Sequence, residues 1–177
     1  MDFRMGARII AAAVCLGVFA GAGAQTLSSP MGAGAAPPVS GQGQGYHSPL
    51  SAIPPLVPRA DVVPWSVLAE VKEKFQKPKI ITLYSPAIRK LDTTTVKIQG
   101  YMTPLEPGTE HRHFLLLSVP PSCPFCVPGG PESIIEVRTN ATVKYTQTAI
   151  VVEGRFHVLD QDPQGLYYRM TDARVVK

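Results

Sequence analysis

Apolar residues fall into three regimes along this chain. From Ile9 to Ala20 they form one unbroken run. From Gln25 to Arg59 the chain is rich in Gly, Pro, Ser, Ala and Gln, and large apolar side chains are sparse. From Asp61 onward they recur at regular spacing. Trp65, Leu68, Val71 and Phe75 stand at helical intervals, with Glu70, Lys72, Glu73 and Lys74 on the other side. Pro64 suits the first turn and Pro78 stops the pattern, which predicts one amphipathic helix laid on a sheet.

Beyond Pro78 the period changes to two. Val96, Ile98, Gly100 and Met102 alternate with Lys97, Gln99 and Tyr101, and Gly100 in mid-strand predicts a bulge or sharp bend. Arg112 to Val119, Ile134 to Arg138, Ile150 to Val158 and Leu166 to Val175 are the next strands, and Ile80 to Tyr84 is an edge candidate. Pro107-Gly108 and Asp162-Pro163-Gln164-Gly165 mark turns. Five strands, the first long and bent, predict a mostly-β domain. Its expected form is a small OB-like five-stranded barrel with one N-terminal helix; a compact sandwich is the competing arrangement.

The early apolar run is too short to span a bilayer and follows Arg4 and Arg8, as in a secretory leader. Ala22 and Ala24 supply the cleavage site, so residues 1–24 are expected to be removed, Cys15 with them. The periodless stretch, 25–60, buries too little to offset its ordering entropy and reads as a disordered tether. The single domain is then 61–177. Loss of Asp2, Arg4 and Arg8 lowers the formal net charge from +4 to about +3. Basic residues are scattered except at Lys72, Lys74, Lys77 and Lys79, a density ordinary for a solvated helix face, and nucleic acid is not expected as a partner. No second long apolar segment exists, so the processed protein is expected not to span a membrane and to work in the periplasm.

Candidate chemistry gathers in Ser122-Cys123-Pro124-Phe125-Cys126-Val127-Pro128-Gly129-Gly130-Pro131. Two cysteines three apart close a disulfide, exchange one, or hold a soft metal, and an oxidising compartment permits the first. His111 and His113 lie two apart at a strand start, hence on one face, and the same parity runs through Leu115, Leu117 and Val119 toward the barrel mouth. His157 lies on the polar face of another strand. Cys123 and Cys126 with His113 and either His111 or His157 make a donor set for tetrahedral zinc or copper(I). Thiol–disulfide exchange has less support, because the pair is followed by Val-Pro-Gly-Gly-Pro and a strand in place of the helix that activates a thioredoxin-like thiolate. Motifs for hydrolysis are missing from the sequence, and no enzyme is expected.

The segment Leu91-Asp92-Thr93-Thr94-Thr95-Val96-Lys97-Ile98-Gln99-Gly100-Tyr101-Met102-Thr103-Pro104-Leu105 resembles the opening strand of an exported bacterial family, the domain of unknown function (DUF) 3299. That family reads Leu-Asp-Gly-Lys, an alternating strand, then Gly-Tyr-Met-x-Pro-Leu. The resemblance runs from about Val62 to Lys177. It implies a periplasmic setting linked to metal supply, zinc especially, and no reaction. The family loop reads Cys-x-His-x-Pro-Pro-Pro, so Cys126 stands where histidine is usual. Cysteine and histidine share little in packing and much as ligands. The expectation is an accessory protein that binds or delivers zinc or copper, with a metal ion or an envelope transport protein as partner. Two alternatives stay open: a structural or protein-interaction module whose cysteines form a disulfide, and a thiol–disulfide exchange protein.

Overall fold

The computed structural model describes residues 41–77 and 79–176. The expected leader, 1–24, and the first part of the tether, 25–40, lie outside the described residues. Among those described, no helix is long and apolar enough to cross a membrane.

The described elements are, in chain order, α1 (Trp65–Leu68), β1 (Val71–Gln76), β2 (Lys79–Tyr84), α2 (Pro86–Leu91), β3 (Thr95–Pro104), β4 (Glu110–Leu117), β5 (Ile134–Lys144), β6 (Ile150–Val158) and β7 (Tyr168–Val176). A 3-10 turn, Pro131–Ser133, leads into β5. Strands β3 to β7 close a barrel in the order β3-β4-β5-β7-β6. The β5–β7 pair is parallel and the other barrel pairs are antiparallel. The mostly-β, five-stranded barrel expected from the periodicity is therefore the fold of the chain.

The long first barrel strand works as anticipated. Thr95 to Gly100 pair with β6, and Tyr101 to Pro104 pair with β4. Gly100 stands at the handover, where a Cβ would come within 2.7 Å of the Leu116 Cγ and the Leu117 carbonyl oxygen. Only a residue without a side chain lets the two strands approach this closely. Ile98, Met102, Phe114, Leu116, Ile135, Val137, Val152, Phe156, Tyr168 and Met170 fill the interior. Trp65 and Leu68 of α1 and Ile88 of α2 extend this core, and Tyr168 donates to the Leu68 carbonyl at 2.6 Å.

The N-terminal helix is present but short. It ends after Leu68, and the residues expected to prolong it form a hairpin instead: β1 pairs with β2 from Val71↔Tyr84 to Gln76↔Lys79. The ambiguity is physical. Val71 and Phe75 are four apart, and that spacing satisfies both a 3.6-residue and a 2-residue period. Pro78 itself lies outside the described residues.

Residues 41–60, read from sequence as part of a disordered tether, run along the barrel as an arm. Tyr46 makes an antiparallel bridge with Val127, and Tyr101 donates to the Pro54 carbonyl at 2.6 Å. Leu56 packs against the core, and backbone hydrogen bonds to the β4–β5 loop supply the rest of the anchorage.

Candidate functional site

The loop between β4 and β5 carries the cysteine pair. Cys123 and Cys126 are joined by a disulfide, with their Cα atoms 5.4 Å apart. Two tight turns support it: the Cys123 N–H donates to the Pro120 carbonyl, and the Cys126 N–H to the Cys123 carbonyl, each at 3.3 Å. Cys123 is buried, whereas Phe125 between the cysteines is exposed.

This stapled loop is the dock for the arm. Tyr46 and Val127 exchange backbone hydrogen bonds at 2.8 and 2.9 Å; Gly41 donates to Pro128, and Gly130 donates to Gly43, each at 3.2 Å. The Gly43 N–H also donates to the Glu132 carboxylate, and the Ser118 hydroxyl to the Gln44 carbonyl at 2.5 Å. The sequence Gly129-Gly130 has a steric reason. A Cβ on Gly129 would lie 2.1 Å from the Gly43 carbonyl oxygen, and one on Gly130 would lie 2.6 Å from that of Gly41. The arm accordingly uses glycines at positive φ: +82° at Gly41, +65° at Gly43 and +79° at Gly45.

The histidines do not join the cysteines. His111 is buried and donates from Nε2 to the Gly108 carbonyl at 3.1 Å. His113 Nε2 bonds the Glu136 carboxylate at 2.7 Å, and His157 Nε2 bonds the Thr171 hydroxyl at 2.9 Å. The expectation that His111 and His113 share a face fails because the β4–β5 register shifts between them. Between the pairs that His111 and His113 make, β5 moves five residues while β4 moves two, an odd slip of three that breaks the alternation. His111, Phe114 and Leu116 are consequently buried, and His113, Leu115 and Leu117 are only partly so. Among the described residues, no three His, Cys, Asp or Glu side chains stand close enough together to hold a metal ion. Cys123, Cys126, His111 and His113 thus do not form one site in this arrangement.

Two features escape the sequence patterns. The first is Glu136, a lone acid in the apolar run Ile134 to Val137, buried at 2% exposure. Its Oε1 accepts from Arg138 Nε at 2.9 Å, Arg138 Nη2 at 2.8 Å and His113, while Oε2 accepts from Arg169 Nε. Arg169 also reaches Asp162 at 3.2 Å. Burial pushes the Glu136 carboxyl up, but the hydrogen bonds from Arg169, Arg138 and His113 outweigh it and hold the group below its ordinary range. With both oxygens occupied, this is the chemistry of a structural ion cluster, ill suited to proton transfer. The one sequence signal is an acid on a strand otherwise built of apolar residues.

The second feature is a cleft of about 420 Å³ between the arm, the α1 region and the barrel. Leu56, Val57, Val63, Pro64 and Trp65 give it an apolar lining, with His47, Gln99 and Ser118 as polar edges. Trp65 is oriented by its Nε1–H donating to the Gln99 carbonyl at 2.8 Å. His47 stacks near Tyr101, with ring centroids 6.4 Å apart, and its buried Nε2 has no hydrogen-bond partner among the described residues. Composition alone hides this cleft, because one wall is the arm.

The sequence profile of the family described as "Protein of unknown function (DUF3299)" matches residues 60–176. Among solved structures, the chain is similar to a crystal structure of a DUF3299 family protein from Pseudomonas aeruginosa PAO1, with 24% identity and a TM-score of 0.38 over 52% of this chain and 67% of that one. No curated protein shows significant similarity.

Proposed function

Because this chain belongs to the DUF3299 family, whose function is unknown, we propose a role from its own geometry: an exported, periplasmic accessory module that binds a partner and catalyses no reaction. The observation that carries the reading is the disulfide between Cys123 and Cys126. It removes both thiolates that a metal requires, and the pair leads into a 3-10 turn and a strand, without the long helix whose N-terminus activates an exchanging thiolate. It also fixes the loop on which the arm docks, and the arm walls the cleft. An apolar cleft with a few polar groups at its rim suits an extended aliphatic or proline-containing segment of an envelope protein, such as a transport component.

Purified processed protein, assayed for free thiols as isolated and then titrated with zinc and copper(I), tests the class of function. We expect no free thiol and no tight metal binding. In the same samples a proline-rich apolar peptide should shift the emission of Trp65, the chain's one tryptophan, saturably, and Val57→Asp should abolish the shift. Two free thiols with one equivalent of metal, lost in a Cys123→Ser/Cys126→Ser variant, would instead identify a metal-delivery module.

A further inference from the structure

The β1–β2 hairpin turns the lysine cluster of the sequence into a two-sided ribbon. Cross-strand partners share a face, so Lys72↔Leu83 and Lys74↔Ile81 place two ammonium groups beside two aliphatic side chains. All four are exposed, Leu83 at 47% and Ile81 at 38%. Glu73 points to the opposite face, where it accepts from the Tyr167 hydroxyl at 2.5 Å, and so does not neutralise the lysines on theirs. Toward the turn Lys77 is exposed as well, and Phe75, on the face of Glu73, is 67% exposed. The far end of the hairpin is moored to the domain: Tyr84 donates to the Leu159 carbonyl at 2.5 Å, and Ser85 to the Glu70 carbonyl at 3.2 Å.

Lysine on a free strand edge guards against stray pairing. That role does not account for Ile81 and Leu83 standing exposed next to it. We infer that this ribbon is a docking surface for an anionic phospholipid membrane. Ile81 and Leu83 enter the headgroup boundary, while the lysine stems lie along them and carry their ammonium groups to lipid phosphates. A protein partner fits less well. A stable protein interface needs roughly 800 Å² per side, far more than four side chains of a two-stranded ribbon present. A bilayer needs only a few apolar groups with cations around them.

Co-sedimentation of the processed chain, beginning at Gln25, with vesicles provides the test. Binding to mixed phosphatidylglycerol–phosphatidylcholine vesicles should exceed binding to pure phosphatidylcholine by about tenfold or more at low salt, and salt should weaken it. Lys72→Glu/Lys74→Glu should lose the anionic preference. Ile81→Ser/Leu83→Ser should lower the bound fraction on the same vesicles and leave the salt dependence unchanged. Unaltered circular dichroism and melting temperature would establish that both exposed-face variants fold. Equal binding to both vesicle types, undiminished binding by the lysine variant, or capture of soluble polyglutamate without vesicle binding would each overturn the inference.

Discussion

Glu136 carries its charge where little water reaches, and four donors from His113, Arg138 and Arg169 converge on its two oxygens. Removing that charge leaves the arginines without their acceptor. Arg138 and Arg169 keep 58% and 26% of their side chains exposed, and this solvent access limits the loss. Glu136→Gln should destabilise the domain by about 1–3 kcal/mol in urea unfolding. The pH dependence has a definite sign. The folded carboxyl lies below its ordinary value of 4.5, so the contribution is fully present above that pH and disappears as pH falls through the folded value. The wild-type protein should therefore lose stability in acid more steeply than Glu136→Gln. Parallel curves would remove Glu136 from the ion cluster's energetics. His111 and His113 teach a related point: an alternating pattern forecasts a shared face only while the register holds, and a slip of the pairing is not written in residue type.

At the scale of elements, strands were legible where large apolar residues alternate over many positions. Ile150 to Val158 follows its pattern closely, because one face of the strand is packed in the barrel, and Gly100 stands where its strand changes partner. The 65–75 segment was not, since its apolar spacings fit helix and strand alike. The arm was the least legible, because its order comes from backbone pairing with the cysteine loop, which composition does not record. That pairing makes a sharp demand on Gly129. A Gly129→Ala side chain would meet the Gly43 carbonyl oxygen at 2.1 Å and should displace the arm without disturbing the barrel. In limited proteolysis, the resistant fragment of the wild type should begin near Gly41, and that of Gly129→Ala near Asp61. Identical fragments would mean that the arm does not depend on the close approach.

For the whole molecule, disulfide, arm and cleft form one chain of dependence: the staple shapes the loop, the loop holds the arm, and the arm walls the cleft beside Trp65. The barrel topology was readable because five strands and one bent glycine leave few ways to close a sheet. The site was not, because it is assembled from a glycine-rich arm and from a cysteine loop whose two sulfurs bond each other. Closing so short a loop stabilises it by only about 2 kcal/mol, enough to govern a local segment and too little to decide the fold. Amide hydrogen exchange at Gly41, Tyr46 and Val127 in the oxidised protein and in Cys123→Ser/Cys126→Ser measures this dependence directly. The expected result is slow exchange at all three amides when oxidised, accelerated about tenfold or more in the variant while barrel amides keep their protection. Unchanged exchange at the three amides would contradict it, and the disulfide would then have no part in building the cleft.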